Sequence, residues 1–202
     1  MMRDVAILLV CYLVGAIPTG LLISRFFGGI DIREHGSRNI GATNVWRVLG
    51  WRLGLTTFLI DVAKAAGILL AVGQLPPGAL AHLTVFGGVA VLLGNFFNVF
   101  LKFKGGKGVA TSLGVFLALA PKAIIVVFLI FVTISAISRY ISLGSISAAL
   151  VAPIITYYFG YDRAVLIFII AAAILIIVKH RANIARLMNG TENKIGKRKE
   201  AA

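Results

Sequence analysis

The chain alternates long apolar runs with short polar segments, and the apolar runs have the length of membrane-spanning helices. At 1.5 Å per residue, about 20 helical residues cross the ~30 Å hydrocarbon core of a bilayer. We predict seven spans, of which the fourth is short, ends before Pro121 and equally fits a tilted span or a re-entrant half-helix. The predicted spans cover residues 5–27, 51–73, 79–101, 109–120, 122–138, 142–158 and 163–178.

Composition agrees with this pattern. Of the 202 residues 59% are apolar and only 13% are charged, whereas soluble domains carry about 25% charged residues. The charges are too few to cover a water-facing surface, so the sequence predicts an all-α integral membrane protein. Cys11 is the only cysteine, which excludes a disulfide framework and a cysteine-based metal site. The first apolar run is too long for the core of a signal peptide and is expected to remain as a span.

The net charge is +13, and the basic residues are unevenly distributed. With seven spans, most Lys and Arg residues fall on one side, as the positive-inside rule requires of the cytoplasmic side. The C-terminus is therefore predicted to be cytoplasmic and the N-terminus external. Omitting the fourth span would move Lys102, Lys104 and Lys107 away from the basic tail. Because the charges lie between spans rather than on a domain, nucleic-acid binding is not expected. We predict one transmembrane domain, residues 1–192, and a basic cytoplasmic tail, residues 193–202.

Three polar segments fall on the predicted cytoplasmic side, and the first, residues 36–47, combines glycines, hydroxyls, amides and guanidinium groups. Ser37, Asn39 and Asn44 supply neutral hydrogen-bonding groups. Arg38 or Arg47 can neutralise a phosphate with bidentate geometry. A flexible loop that leads into an interfacial helix is the alternative interpretation.

The second polar segment is a glycine-rich turn, residues 103–111, directly before a short apolar helix. Such a turn is a natural anion site because unpaired N–H groups and the helix dipole face the ligand. Lys104 and Lys107 add positive charge to Gly105, Gly106 and Gly108. The spacing differs from that of a Walker A loop, so it indicates phosphate binding rather than nucleotide hydrolysis. A basic interfacial anchor is the alternative.

The third polar segment, residues 180–186, follows the last span. His180 and Asn183 share a helical face through their i, i+3 spacing, although a single histidine at a helix end is commonly a capping or interfacial residue. Ser142 begins a span on the same side and either caps that helix or lines the site. Asp61 and Lys64 lie three residues apart within the second span. They are predicted to pair, either as a transport or proton relay or as a structural ion pair.

These segments together resemble a known family. The sequences Gly-Ser-x-Asn-x-Gly-Ala-Thr-Asn-Val-x-Arg, Lys-Gly-Gly-Lys-Gly-Val-Ala-Thr and His-Arg-x-Asn-Ile-x-Arg-Leu occur in that order and are similar to motifs of the bacterial PlsY family. Its members are membrane acyltransferases that transfer a fatty acyl group from acyl phosphate to glycerol 3-phosphate. The resemblance extends from the first span to Glu192. It implies seven spans, an external N-terminus and release of 1-acyl-glycerol 3-phosphate (lysophosphatidic acid) and phosphate.

The resemblance also implies a location in the bacterial cytoplasmic (inner) membrane, with the active site facing the cytoplasm. The expected partners are the two substrates and membrane lipids, a monomer is compatible with the sequence, and no cofactor or metal is expected. By position, the expected catalytic residues are Ser37, Lys107, His180 and Asn183. The expected substrate- and phosphate-binding residues are Asn39, Asn44, Arg47, Lys104, Gly105, Gly106, Gly108, Thr111 and Ser142.

Two departures from the family pattern stand out. The family usually has Gly at the position of Arg38, and Gly-His-x-Phe-Pro where this chain has Gly-Asn-Phe-Phe-Asn at residues 94–98. The added guanidinium is expected to perturb phosphate binding, and the missing histidine removes a hydrogen-bond donor. An inactive paralogue is therefore one alternative function. A small anion transporter is another, but the polar groups crowd one interface rather than the bilayer midplane, and there is no internal repeat.

The expected chemistry is direct attack of the glycerol 1-hydroxyl on the acyl carbonyl. Ser37, Lys107 and Asn183 are expected to stabilise the developing oxyanion and phosphate. The proton acceptor is either His180 or the acyl phosphate itself. We favour the acyl phosphate, with His180 binding or orienting glycerol 3-phosphate.

Overall fold

The computed structural model describes residues 1–78, 80 and 82–195, and all regular structure in these residues is helical. Short 3₁₀ turns at Ile32–Glu34 and Val99–Leu101 supplement the α-helices. In chain order the α-helices are α1 (Met2–Ala16), α2 (Thr19–Gly28), α3 (Ala42–Leu49), α4 (Trp51–Gly73), α5 (Leu83–Phe96), α6 (Val109–Leu119), α7 (Pro121–Ser138), α8 (Ile141–Tyr158), α9 (Arg163–Lys179) and α10 (Arg181–Met188).

Several of these helices are suited to cross a membrane. Within residues 1–78, 80 and 82–195, four segments are long and apolar enough on their own, namely α4, Leu83–Leu101, α7 and α8. The number becomes six if the bent pairs α1–α2 and α9–α10 each count as one span, and α6 is a shorter apolar helix. The prediction of an all-α membrane protein is confirmed. The predicted spans 51–73, 122–138, 142–158 and 163–178 agree with α4, α7, α8 and α9 to within one residue at either end.

The first predicted span, residues 5–27, is not one continuous helix. α1 ends at Ala16, α2 begins at Thr19, and the two axes differ by 42°. Pro18 explains the break, because proline has no N–H to donate and disfavours the helical conformation in the residue before it. Ile17 accordingly has φ −58° and ψ 114°. The third predicted span, 79–101, is helical only from Leu83 and finishes in a 3₁₀ turn, and residues 79 and 81 lie outside the described residues.

Close packing of α1 against α5 depends on glycines. A Cβ at Gly15 would overlap the carbonyl oxygen of Val91, and a Cβ at Gly94 would overlap that of Tyr12. Helices in lipid associate mainly through van der Waals contact and gain from small residues that let their backbones approach. The contact therefore holds α1 on the bundle in the absence of a strong hydrophobic driving force.

The buried apolar side chains of the described residues form two clusters. The larger includes Leu69, Phe96 and Ile169 and draws on α1 and on α4 to α9. The smaller consists of Leu21, Ile23, Ile32, Ile40, Val45 and Leu101. This second cluster joins α2 to the polar segment 36–47 and thus supports the loop that precedes α3.

Candidate active site

The three polar segments meet around one cavity of about 720 Å³. Lys104 and Gly105 are not among its lining residues: Lys104 is exposed on the surface, and a Cβ at Gly105 would overlap the carbonyl oxygen of Asn95. The predicted site residues that do line it are Ser37, Asn39, Asn44, Arg47, Gly106, Lys107, Gly108, Thr111, Ser142, His180 and Asn183.

Asn44 shapes the first segment into a compact loop. Its Oδ1 accepts the N–H of Ser37 at 2.8 Å, and its Nδ2 donates to the carbonyls of His35 and Asn39 at 3.0 and 2.9 Å. Asn39 in turn accepts the N–H of Gly41 at 2.9 Å. Both the oxygen and the nitrogen of the Asn44 amide are thus bonded within the loop. Direct binding of substrate by Asn44 stays a prediction.

Arg38 occupies a strained position in this loop. Its φ is +59°, in the left-handed region that glycine adopts freely and other residues adopt at a cost. The family that the chain resembles usually has glycine here. The side chain is exposed and is not among the residues lining the cavity, so its main effect in this structure is on the backbone.

The glycines of the second segment allow the chain to run close to the end of α5. Gly106 donates its N–H to the carbonyl of Asn95 at 3.1 Å. Gly108 has φ +77°, and a Cβ there would overlap the ring of Phe96. Lys107 lies between these two glycines and extends into the cavity, and α6 begins at Val109. Asn95 lines the same cavity, and its buried side-chain oxygen has no hydrogen-bond partner among the described residues.

Glu192 joins the third segment to the rest of the site, and sequence reasoning missed it. Its Oε1 accepts the hydroxyl of Ser142 at 3.0 Å and Nδ2 of Asn183 at 2.7 Å, and its Oε2 accepts Nε of Arg186 at 2.6 Å. Because the ionised carboxylate can only accept, the amide of Asn183 must direct its oxygen the other way, where it accepts from Nζ of Lys107. The carboxylate therefore sets the orientation of the Asn183 amide that holds the lysine.

Of the two interpretations of Ser142, the structure favours the site over the helix cap: Ser142 lines the cavity, whereas the N-cap of α8 is Tyr140 and no side chain of the described residues bonds there. The hydroxyl of Ser142 bonds Glu192 instead.

His180 lies at the 56° break between α9 and α10, after the last residue of the apolar helix. Its Nδ1 lies 2.8 Å from the carbonyl oxygen of Ile176. A carbonyl can only accept, so Nδ1 carries the hydrogen, and Nε2 of a neutral ring is left as an acceptor. Burial, together with the positive charge of Lys107, lowers the pKa of His180 to about 4. The imidazole is therefore neutral at physiological pH.

Burial also shifts the pKa values of the charged groups around the cavity. It lowers the pKa of Lys107 to about 8, partly offset by the negative charge of Glu192, and it lowers the pKa of Arg47. For Glu192, burial alone would raise the pKa, but the hydrogen bonds from Asn183, Arg186 and Ser142 together bring the pKa below its ordinary value. The result is a carboxylate that remains ionised among cationic groups at neutral pH.

The start of the predicted tail is packed against the domain. Ile195 donates its N–H to the carbonyl of Arg139 at 2.8 Å, and Nη2 of Arg139 donates to the carbonyl of Ile195 at 2.9 Å. Nζ of Lys194 lies 5.3 Å from the centre of the Tyr140 ring. Residues 193–195 line the cavity, and the rest of the tail, residues 196–202, lies outside the described residues.

An apolar groove adjoins the polar cavity. It has a volume of about 70 Å³ and runs among α6, α7, α8 and α9. Phe58, Val109, Phe131 and Ser145 line both spaces. A polar chamber that continues into an apolar groove suits a ligand with an anionic head and a hydrocarbon tail.

Comparison with known proteins identifies the family. Residues 5–190 match the family model described as glycerol-3-phosphate acyltransferase. This chain belongs to that family. The glycerol-3-phosphate acyltransferase of Trichlorobacter lovleyi is 46% identical over 183 residues, which cover 91% of this chain and 93% of the relative. That of Syntrophotalea carbinolica is 44% identical over 193 residues, covering 93% and 95%.

Two solved structures are similar to this fold. The crystal structure of PlsY (YgiH), an integral membrane glycerol 3-phosphate acyltransferase, in its glycerol 3-phosphate form superposes with a TM-score of 0.88 and 39% identity over 96% of each chain. Its lysophosphatidic acid form gives a TM-score of 0.86 at the same identity and coverage. The predicted membership of the PlsY glycerol-3-phosphate acyltransferases is confirmed, and with it the assignment of the chain as a membrane enzyme.

Proposed function

We propose that this acyltransferase uses acyl phosphate as its donor and acylates the 1-hydroxyl of glycerol 3-phosphate. The observation that carries the proposal is the junction of the basic cavity with the apolar groove, since four residues line both. An acyl phosphate places its phosphate in the first and its chain in the second. The glycerol 3-phosphate and lysophosphatidic acid forms of the PlsY neighbour support the acceptor and the product.

The cavity can hold two phosphate groups. Arg47, Lys107 and Arg186 line it, and α6 begins beside Lys107 with its first-turn N–H groups unpaired within the helix. Because both substrates are anions, several cationic groups are needed to bring them together.

The reaction is a direct acyl transfer. The hydroxyl oxygen forms an ester bond to the acyl carbon, the bond from that carbon to the phosphate oxygen breaks, and phosphate leaves. Ser37, Lys107 and Asn183 stabilise the oxyanion and the departing phosphate. A mixed anhydride needs less acid assistance than an ester because phosphate is a good leaving group.

The acyl phosphate accepts the hydroxyl proton. A neutral imidazole with a pKa of about 4 is a weak base at pH 7, where general bases work best with a pKa near the operating pH. His180 instead uses Nε2 to accept a hydrogen bond from the glycerol backbone and orient it. His180→Ala should therefore raise the KM for glycerol 3-phosphate, and the wild-type pH–rate profile should lack an imidazole limb near pH 6.5. Such a limb, lost in the variant, would identify His180 as the base.

The membrane topology we propose has seven spans, counting α1 with α2 as one and α6 as a short one. The N-terminus is outside, and the cavity and C-terminus face the cytoplasm of a bacterial inner membrane. The uneven distribution of Lys and Arg supports this orientation. In a Cys11→Ala background, an impermeant maleimide added to intact spheroplasts should label Tyr158→Cys and spare Met188→Cys; both native side chains are over 80% exposed. The opposite labelling would invert the topology.

Phosphate release by the purified protein tests the activity. With palmitoyl phosphate, release should require glycerol 3-phosphate and should yield lysophosphatidic acid. Lys107→Ala should abolish it, whereas Lys102→Ala, which changes an exposed lysine of the same connection, should retain it. No turnover in folded protein would favour an inactive paralogue or a transporter.

A further inference from the structure

We propose that the buried ion pair of Asp61 and Lys64 is a positioning device for the loop that carries Ser37. The two residues lie three apart on α4, their side chains are 11% and 9% exposed, and Nζ lies 2.7 Å from Oδ1. Ionisable groups within a membrane span are costly and are retained where they perform a task. The inference rests on the proposed acyl transfer, because the position of this loop affects catalysis only if Ser37 acts in that reaction.

The pair bonds both sides of the break in the first span. Nζ of Lys64 donates to the carbonyl of Ile17 at 2.7 Å and to Oγ1 of Thr19 at 3.1 Å. The hydroxyl of Thr19 donates to Oδ1 of Asp61 at 2.8 Å. Ile17 is the last residue before Pro18, and Thr19 is the first residue of α2. α4 thereby fixes where α2 begins after the 42° bend.

From this point α2 carries the constraint to the loop. Gly20 packs so closely on the loop that a Cβ would overlap the carbonyl oxygen of Ile40. Two further residues of α2, Leu21 and Ile23, are buried in the same small cluster as Ile40 and Val45. Tight packing of this kind transmits displacements rather than absorbing them. A shift of α2 must therefore move Ile40, three residues from Ser37.

The loop also contacts the phosphate-binding turn. A Cβ added at Gly106 would lie 3.8 Å from Cγ1 of Ile40, so Ile40 sits between α2 and the turn that carries Lys107. Asp61 and Thr19 line the same cavity as Ser37. The bonds described for Asp61 run to Lys64 and Thr19, and the link from there to Ser37 passes through the packed residues of α2 and the loop. Asp61 and Lys64 are thus positioning residues, and the expected consequence of losing them is a misplaced glycerol 3-phosphate site.

The double variant Asp61→Asn/Lys64→Met tests this inference. It leaves no unpaired charge in the membrane but loses the bond from Lys64 to Ile17. We expect folded protein whose kcat/KM for glycerol 3-phosphate falls about 10- to 100-fold, mainly through a higher KM, because a misplacement of about 1 Å can cost a factor of this size. The KM for acyl phosphate should stay near the wild-type value, because every residue lining the apolar groove except Phe58 of α4 comes from α6, α7, α8 or α9. Calorimetric binding of glycerol 3-phosphate should weaken in parallel.

Thr19 provides the second variant. Thr19→Val keeps the ion pair but removes its bonds to α2, and it should raise the KM for glycerol 3-phosphate. Thr19→Ser keeps the hydroxyl and should have a KM near the wild-type value. The matched control is Thr156→Val, since Thr156 is a buried threonine whose hydroxyl, among the residues that the structure describes, bonds only the Ala152 carbonyl of its own helix at 2.8 Å. Folded double or Thr19→Val variants with wild-type KM and binding would overturn the inference. Absence of turnover in the wild type would instead refute the proposed function, and binding would still decide the role of the pair.

Discussion

Replacing Glu192 by glutamine should destabilise the site while leaving its shape nearly unchanged. The Glu192 side chain is 4% exposed and accepts three hydrogen bonds, from Ser142, Asn183 and Arg186. In glutamine one terminal group becomes an NH₂ donor. If the oxygen keeps Ser142 and Asn183, the NH₂ group faces Nε of Arg186, which also donates. If the amide flips, the NH₂ group opposes Asn183, whose own amide must then rotate away from Lys107.

The structure sets the size of this effect. A lost hydrogen bond to a charged group costs about 1.5–3 kcal/mol. Loss of a buried ionic partner costs about 3–5 kcal/mol, but the Arg186 side chain is 36% exposed and water can partly replace the carboxylate. We therefore expect the free energy of unfolding to fall by about 1.5–3 kcal/mol. If the same loss is felt in the transition state, kcat/KM falls about 10- to 100-fold.

Thermal unfolding in detergent and initial rates measure the two effects. Glu34→Gln is the matched control, because Glu34 is exposed in the 3₁₀ turn and should change stability by no more than about 0.5 kcal/mol. The pKa of Glu192 lies below its ordinary value, so the advantage of the wild type is present at neutral pH and disappears as the pH falls through the folded-state pKa. A Glu192→Gln protein as stable and as active as the control would refute this account of the carboxylate.

Three further predictions follow from individual residues. Because the pKa of Lys107 is lowered to about 8, kcat/KM should fall as the pH rises through that value, and Lys107→Arg should move the fall to higher pH; a profile flat to about pH 10, near the ordinary lysine pKa, would contradict this. Arg38→Gly should raise the free energy of unfolding by about 0.5–1 kcal/mol by relieving the positive φ, and unchanged thermal stability would exclude that strain. Ala149→Phe should block the apolar groove about 6 Å beyond Ser145, so activity with palmitoyl phosphate should fall more than activity with octanoyl phosphate. Leu150→Phe, on the exposed face of the same helix, should affect both donors little. Equal losses with Ala149→Phe would argue that the acyl chain lies elsewhere.

The spans were predictable because lipid imposes a length and a polarity on every helix that crosses it. The 51–73 run matches α4, and the short fourth run matches α6 up to its last residue. The break at Pro18 was missed because hydropathy stays high across it. The proline itself was the signal in the sequence that the helix breaks at this position. The pairing of Asp61 with Lys64 was predictable from their spacing, but not their contact with Ile17 and Thr19, which depends on how α1, α2 and α4 pack.

Most of the site residues predicted from the three motifs line the cavity, because phosphate sites need glycines, amides and basic side chains close together along the chain. Glu192 was missed because its role depends on the chain turning back after α10, at Gly190 with φ +69°. Its signal was a single carboxylate six residues after Arg186 in a strongly basic region. Lys104 was included from its place in the motif, but the turn at Lys102 and Phe103, both with positive φ, leaves its side chain on the surface.

Donor choice tests the central claim most directly. Purified protein would be given radiolabelled glycerol 3-phosphate with palmitoyl phosphate or with a palmitoyl thioester, and lysophosphatidic acid and inorganic phosphate would be quantified together. We predict lysophosphatidic acid from palmitoyl phosphate only, with one phosphate released for each molecule formed. Equal or faster product formation from the thioester, or phosphate release without the lipid product, would contradict the proposed acyl-phosphate-dependent transfer.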